Sequence, residues 1–85
     1  MKEVLIDCGG LDGMEQLHVL LARELEFPQW YGKNFDALYD CLTSLSAPTH
    51  LTFRNLQSLG RREAILRQVL TDAEADNLNL IVTIS

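Results

Sequence analysis

The chain has 85 residues, of which 47% are hydrophobic, and its 12 acidic and 7 basic side chains give a formal net charge of -5. This acidic balance disfavours direct binding to nucleic acid or to an anionic membrane and favours a basic partner. The length fits one domain, residues 1–85, and the first apolar run stops at Asp7, too early for a signal peptide or membrane span, so we expect a cytoplasmic protein.

Three short apolar segments predict β-strands, at residues 4–6, 49–53 and 80–84. The first and third are nearly continuously apolar, as expected of strands that are covered on both faces in a parallel sheet. The second alternates polar and apolar residues after Pro48, which is typical of a strand at the edge of a sheet.

Helical periodicity marks three segments between these strands. Asp12-x-x-Glu15 resembles a capping box before the first helix, Asn34 is a good N-cap for the second, and a short helical turn at residues 55–59 precedes Gly60 and the third. The residues predicted to face inward are Met14, Leu17, Leu21 and Leu25, then Phe35, Leu38, Leu42 and Leu45, then Ile65, Leu66, Val69, Leu70 and Ala73. These elements predict an α/β fold, with a three-stranded parallel sheet packed with three or four helices.

Residue types that support catalysis or metal binding are scattered. Cys8 and Cys41 have neither CxxC spacing nor a companion cluster, which predicts two reduced, mostly buried thiols. His18 adjoins the apolar stripe of the first helix and is predicted to be packed and hydrogen-bonded, whereas His50 lies at the start of a strand. No Ser/His/Asp order, phosphate-binding glycine loop or metal spacing is present, so we predict no enzyme activity, cofactor or metal.

A small basic patch lies at the start of the third helix. Arg61, Arg62 and Arg67 are close in sequence to Glu63, with which arginines on a helix commonly pair. We therefore interpret this patch as a solvated helix face.

Residues 27–42 combine an aromatic loop, bounded by Pro28 and Gly32, with the start of the second helix. Four side chains are expected to face solvent because they lie away from the apolar stripe of that helix: Asp36, Tyr39, Asp40 and Thr43. Asp36 and Asp40 are four residues apart and repel each other by about 0.2–0.5 kcal/mol, which a basic partner would relieve. Alternatively, Asp36 meets the helix dipole and Asp40 is an ordinary solvated side chain.

The loop carries two adjacent aromatic residues, Trp30 and Tyr31. Packing beneath the loop and contact with a partner both fit these side chains, and Tyr31 is predicted to be the more buried of the two. Aromatic side chains beside charges are common anchors of protein interfaces. The segment therefore predicts an interaction surface.

The same segment closely resembles the hallmark of the barstar family of ribonuclease inhibitors, Pro-x-aromatic-Tyr-Gly-x-Asn-x-Asp-Ala-Leu-x-Asp-x-Leu. The matching residues are Pro28, Trp30, Tyr31, Gly32, Asn34, Asp36, Ala37, Leu38, Asp40 and Leu42. The similarity extends along most of the chain and includes the Leu17-His18 pair. It implies that the second helix and its loop enter the active site of a basic, extracellular-type ribonuclease of the barnase kind, in a one-to-one complex.

In such a complex, the resemblance implies that Asp40 takes the place of the substrate phosphate and that Asp36 contacts neighbouring basic residues. Trp30 and Gly32 would cover the catalytic histidine of the nuclease. The family also has an acidic contact on the later helix, which falls near Asp72, with Glu74 and Asp76 close by. The expected partner-binding residues are therefore Trp30, Tyr31, Gly32, Asn34, Asp36, Tyr39, Asp40, Thr43 and Asp72.

The sequence departs from the family pattern at several of these positions. Lys33 puts a cation inside the loop, Tyr39 replaces a larger indole, and Ser44 and Leu45 supply no aromatic anchor after the second helix. These differences bear on which ribonuclease the chain fits. The alternative hypothesis is a barstar-like module that uses the same helix to bind a basic protein other than a ribonuclease.

Overall fold

The computed structural model describes residues 1–85 as one three-stranded parallel sheet with three α-helices. The strands are β1 (Lys2–Asp7), β2 (Thr49–Arg54) and β3 (Leu80–Ile84). The helices are α1 (Met14–Leu25), α2 (Phe35–Thr43) and α3 (Arg62–Asp76), and short 3₁₀ turns follow β1 at Cys8–Gly10 and β2 at Leu56–Leu59. The predicted α/β fold with a parallel sheet is confirmed.

The strands lie in the order β1-β2-β3, so β2 is the central strand. Lys2 pairs with Thr49, and Thr49 pairs in turn with Leu80. The prediction that residues 49–53 form an edge strand was therefore wrong. The alternation of polar and apolar residues in β2 reflects one buried and one solvated face, which a central strand also has when helices cover only one side of its sheet.

Only one face of the sheet is buried. Its side chains include Val4, Ile6, Leu51 and Phe53, all of which belong to the hydrophobic core. On the other face, Leu5 of β1 is 55% exposed and Ile81 of β3 is also exposed, so the prediction that these strands are covered on both sides was wrong. We call this solvated side, formed by Glu3, Leu5, His50, Thr52, Ile81 and Thr83, the open face of the sheet.

The polar side chains of the open face bind one another across all three strands. His50 Nδ1 lies 2.7 Å from Glu3 Oε1, and His50 Nε2 lies 2.8 Å from Thr83 Oγ1. A single side chain of the central strand thus links both edge strands.

The helices bury the predicted stripes with one exception. The fully buried helix residues of the core include Leu17, Leu21, Leu38, Leu42, Leu66 and Ala73. Ile65 was predicted to face inward but is 49% exposed. It lies about 100° around α3 from Leu66, beyond the reach of the sheet.

The capping box predicted for α1 is absent. The helix begins after Gly13, which has no side chain to accept a hydrogen bond from the first turn. Asp12 instead forms a closed pair with Gln16, whose Oε1 accepts the Asp12 N–H at 2.9 Å and whose Nε2 donates to Asp12 Oδ2 at 3.4 Å. The amides at the start of α1 therefore have no side-chain acceptor.

Cys8 and Cys41 are both free and buried, as predicted. The structure brings together no group of three or more His, Cys, Asp or Glu side chains that would hold a metal ion. None of the helices has the length and apolar character needed to cross a membrane.

Candidate functional site

The start of α2 is fixed by Asn34. Its backbone is extended, its Oδ1 accepts the N–H of Ala37 at 2.7 Å, and its Nδ2 donates to the Gly32 carbonyl at 3.4 Å. An N-cap of this kind typically stabilises a helix by about 1 kcal/mol. The prediction of Asn34 as N-cap is confirmed, and the same side chain ties the preceding loop to the helix.

The loop is tightly folded before this cap. Lys33 adopts a left-handed backbone conformation with φ of 53°. A Cβ atom added to Gly32 would lie 3.1 Å from Asn34 Nδ2 and 3.7 Å from the Cβ of Ala37, so glycine allows the loop to approach the helix.

The two loop aromatics have opposite environments. Trp30 is 74% exposed, whereas Tyr31 is only 7% exposed and packs against Phe27, with ring centroids 4.9 Å apart. The prediction that Tyr31 is the more buried is confirmed. Tyr31 therefore supports the loop from below, and Trp30 offers its ring to solvent.

Tyr31 is held by the predicted buried histidine of α1. The Tyr31 hydroxyl lies 2.5 Å from His18 Nδ1. Burial is the main cause that raises the pKa of Tyr31 and lowers the pKa of His18, so both side chains are neutral at pH 7. A neutral hydrogen-bonded pair thus fixes the loop without placing a charge in the core.

Asp36 and Asp40 lie on α2 with exposed side chains, as predicted. Neither carboxylate takes part in a salt bridge. Residues four apart on a helix are neighbours, so the two negative charges lie side by side without compensation.

Tyr39 and Thr43 are half-buried, which corrects the prediction that they face solvent. Thr43 Oγ1 donates to the carbonyls of Tyr39 at 2.8 Å and Asp40 at 3.2 Å. The Tyr39 hydroxyl donates to Asp76 Oδ2 on α3. The reason is that α3 packs against this side of α2 and covers it.

The charges of three carboxylates act on the Tyr39 hydroxyl. The hydrogen bond to Asp76 is the main cause that raises the pKa of Tyr39, followed by burial and by the charges of Asp76, Asp72 and Asp40. Asp72 is exposed and accepts a hydrogen bond from Gln68 at 2.9 Å. We call the surface formed by Asp36, Asp40, Asp72 and Asp76 around Tyr39 the acidic face.

Two acids near Asp72 have different roles. Glu74 is turned towards the sheet, where it accepts the N–H of Val82 at 2.7 Å, so it does not belong to the acidic face. Asp76 does belong to it, although it was not among the expected partner-binding residues. Its spacing of four from Asp72, the same as between Asp36 and Asp40, is the sequence signal that would have identified it.

Asn77 braces the end of α2. This buried residue donates through Nδ2 to the carbonyls of Leu42 at 2.9 Å and Leu45 at 3.0 Å, and its Oδ1 accepts the Asn79 N–H at 3.0 Å. It thereby links α2 to the connection between α3 and β3. No sequence motif predicted this contact.

A groove of about 240 Å³ lies between Trp30 and the end of α2. Asp40, Ser44 and Leu45 line it together with Trp30. Because neither Ser44 nor Leu45 carries a large ring, the space beside Trp30 stays open. A long side chain of a partner fits such a groove, with Asp40 as an acceptor for a positively charged end.

The chain matches known proteins over most of its length. A family model described as "Barstar (barnase inhibitor)" matches residues 1–83. A Bacillus subtilis (strain 168) protein named "Putative ribonuclease inhibitor YrdF" is 40% identical over 58 residues, which cover 67% of this chain and 64% of that protein. The match thus spans less than two thirds of the length of that relative. The family of inhibitors agrees with the prediction that the chain is not an enzyme, and the chain belongs to the Barstar family.

Proposed function

We propose that this protein inhibits a basic, barnase-type ribonuclease in a one-to-one complex, with the acidic face and the aromatic loop at residues 27–34 placed in the active site. The observation that carries this proposal is the pair Asp36 and Asp40 on α2. Both side chains are exposed, and neither has a cationic partner. The exposed Trp30 ring beside them supplies apolar area for an interface.

The chemistry of ribonucleases explains why carboxylates would block them. An enzyme that cleaves RNA must present preorganised positive charge to a phosphate group. A carboxylate held at the same position forms charge-assisted hydrogen bonds with these groups but has no bond that the enzyme can cleave. In this proposal Asp40 mimics the phosphate, and Asp36 meets neighbouring basic residues.

The binding surface is rigid before any partner arrives. Asn34 caps the start of α2, Asn77 braces its end, and the pair of Tyr31 and His18 supports the loop. A surface that is already ordered loses little conformational entropy on binding, which favours tight complexes.

Asp72 and Asp76 extend the same surface to α3. Because both lie near the Tyr39 hydroxyl, they would receive a second basic group of the ribonuclease beside the one that meets Asp40. Thr43, Gly32 and Asn34 would act mainly by holding the backbone in place, since their polar atoms or small size serve internal contacts.

We place this activity in the cytoplasm of a cell that makes a secreted ribonuclease. Such a cell must protect its own RNA from nuclease that folds before export. An inhibitor present in the same compartment as this nuclease would serve that purpose.

The test is a titration of barnase-type ribonuclease activity with the wild-type protein and with Asp40→Asn, at low and near-physiological salt. We expect stoichiometric inhibition by the wild type. Asp40→Asn should bind at least about a hundredfold more weakly, because loss of one partner of a buried ion pair costs about 3 kcal/mol.

The matched control is Glu24→Gln, which neutralises an exposed carboxylate of α1 that already lies 3.6 Å from Arg23. It should inhibit as well as the wild type. If well-folded protein inhibits no ribonuclease of this kind, the proposal fails, and a different basic partner for the acidic face becomes the preferred hypothesis.

A further inference from the structure

A cleft of about 690 Å³ lies where all three helices begin, beside the end of the loop that the proposed inhibition uses, and no residue of the acidic face lines it. Its lining includes Gly13 and Met14 at the start of α1, Asn34 and Phe35 at the start of α2, and Arg62 at the start of α3. The amino-terminal ends of helices carry partial positive charge and free N–H groups. The convergence of three such ends favours a negatively charged ligand.

Two of the three helix ends are also without side-chain caps. The residue before α1 is Gly13, and the residue before α3 is Arg61. Neither offers a side-chain acceptor to the N–H groups in the first turn of its helix. Only the start of α2 is capped, by Asn34. The first-turn amide of Glu63 in α3 donates to the Gly60 carbonyl at 3.1 Å, whereas the other first-turn amides at these two ends have no side-chain acceptor and are left to water or a ligand.

The cleft contains two cations without salt bridges. Lys33, in the left-handed position of the loop, and Arg62 both line it, and neither takes part in an ion pair within the protein. Both act on His18, whose pKa is lowered by burial first and then by the charges of Arg62 and Lys33. The charges that shift the pKa of His18 are therefore both positive.

Two carboxylates also line the cleft. Asp12 is engaged with Gln16, and Glu15 is exposed at the first turn of α1. Glu15 would weaken the binding of an anion. Its neutralisation should therefore raise the affinity for the anion, whereas neutralisation of Lys33 or Arg62 should lower it.

His18 supplies the observation that is independent of the helix ends. It is only 4% exposed, lines the cleft, and has one ring nitrogen, Nδ1, bonded to the Tyr31 hydroxyl. The other nitrogen, Nε2, has no partner in the protein. Since no fully buried side-chain polar atom lacks a hydrogen bond, Nε2 must be reached through the cleft.

The protonation of this histidine suits an anion. Tyr31 keeps its proton at neutral pH and has no acceptor other than His18 Nδ1, so its hydroxyl donates to that nitrogen. A neutral imidazole then carries its single proton on Nε2. His18 thus presents a hydrogen-bond donor to the interior of the cleft.

We propose that this cleft binds the phosphate group of a phosphate monoester, held by His18 Nε2, Lys33, Arg62 and the free amides of the helix ends. The cleft is larger than a phosphate needs, and apolar side chains such as Phe35 and Leu59 line the remainder. The organic part of the ligand, such as a nucleoside, occupies this apolar part. This site is separate from the acidic face, and its test does not depend on a ribonuclease.

The experiment is a titration of the full chain with orthophosphate and, separately, with uridine 5′-monophosphate at constant ionic strength and neutral pH. Amide and His18 ring signals in NMR spectra report where each compound binds. We expect saturable shifts at His18 and at the first turn of α1, with tighter binding of the nucleotide than of orthophosphate.

Four variants define the site. Arg62→Gln and Lys33→Gln should each weaken binding about tenfold, because each removes one charge-assisted contact. Glu15→Gln should strengthen it about twofold. Arg61→Gln is the matched control, because Arg61 is an exposed neighbour of Arg62 that does not line the cleft, and it should bind like the wild type.

Two results would overturn the proposal. One is the absence of saturable binding of either compound below about 20 mM, which corresponds to no useful affinity. The other is equal weakening by Arg61→Gln and Arg62→Gln, which would show a general charge effect. If the nucleotide and orthophosphate bind equally, the phosphate site stands, and the assignment of the apolar part to a nucleoside is wrong.

Discussion

The acidic face and the open face of the sheet are both exposed surfaces with charged side chains, but they differ in how the charges are compensated. On the open face, the Nδ1–H of His50 donates to the Glu3 carboxylate and its Nε2 hydrogen-bonds to the Thr83 hydroxyl, so this side chain connects all three strands. On the acidic face, Asp36 and Asp40 have no cationic partner.

The difference separates a surface that serves the fold from one that is open to a partner. His50, Glu3 and Thr83 of the open face form hydrogen bonds with one another, so these polar atoms are engaged within the protein. The carboxylates of α2 keep their charge unpaired at a small cost in stability, which a basic partner would offset. Substitutions on the two faces should therefore change different quantities.

After Asp40→Asn, the largest effect is expected from Trp30→Ala. Binding to the ribonuclease should weaken about thirtyfold, since loss of an aromatic interface anchor costs about 2 kcal/mol. The free energy of unfolding should not change, because the ring is 74% exposed in the free protein. Measurement of both quantities on one preparation tests this. A large loss of stability would instead assign Trp30 to the fold.

A smaller effect is expected when one charge is removed from each face. Asp36→Asn should weaken inhibition about tenfold, through loss of one charge-assisted hydrogen bond. Glu3→Gln, on the open face, should leave inhibition unchanged. Inhibition titrations of the two variants side by side compare the faces directly, and equal losses would contradict the distinction between them.

The buried pair beneath the loop predicts a dependence of stability on pH. The pKa of His18 is lowered from its ordinary value of 6.5, so the unfolded chain binds a proton at a higher pH than the folded one. The free energy of unfolding should therefore fall as the pH decreases below 6.5, until the folded-state pKa is reached. Urea denaturation between pH 7 and 5 measures this slope.

The variant His18→Gln should show a shallower slope over this range, because a glutamine at position 18 does not titrate. Tyr31→Phe keeps the ring and should lower the free energy of unfolding by about 1 kcal/mol at pH 7, through loss of the hydrogen bond to His18. A slope in His18→Gln equal to that of the wild type would assign the pH dependence to other groups.

The smallest effect has the opposite sign. Asp40→Asn should raise the free energy of unfolding by about 0.2–0.5 kcal/mol, because it relieves the repulsion between Asp36 and Asp40. Glu24→Gln should give no such gain, because it removes the ion pair between Glu24 and Arg23 and relieves no repulsion. Thermal denaturation of both variants at low salt detects the difference, and a loss of stability in Asp40→Asn would show that this carboxylate already has a partner in the free protein.

Local patterns predicted most of the fold. The stripes of the helices, the cap at Asn34 and the burial of Tyr31 depend on neighbouring residues, and all are confirmed except for the position of Ile65 in the stripe of α3. The position of β2 in the sheet depends on contacts with β1 and β3, which are distant in sequence. An alternating strand fits the edge and the centre of a sheet with one open face equally well, so the pattern could not decide between them.

The candidate site shows the same division. The exposed carboxylates of α2 follow from helical spacing, whereas the contact between Tyr39 and Asp76 requires the packing of α3 against α2. The brace formed by Asn77 likewise connects elements whose proximity no motif reveals. Sequence therefore predicted what each helix presents, but not what the neighbouring helix covers.

The central position of β2 has a consequence for the rate of folding. Lys2 and Thr49 pair although they lie more than half of the chain apart, and Leu80 joins them from beyond the next helix. Such nonlocal pairing must close long loops and is slower than the folding of a helical bundle of similar size. The acidic face contains Asp40 from the connection between β1 and β2 and Asp76 from the connection between β2 and β3. It is therefore complete only after both parallel pairings have formed, and a newly made chain has no finished binding surface until its whole sheet has closed.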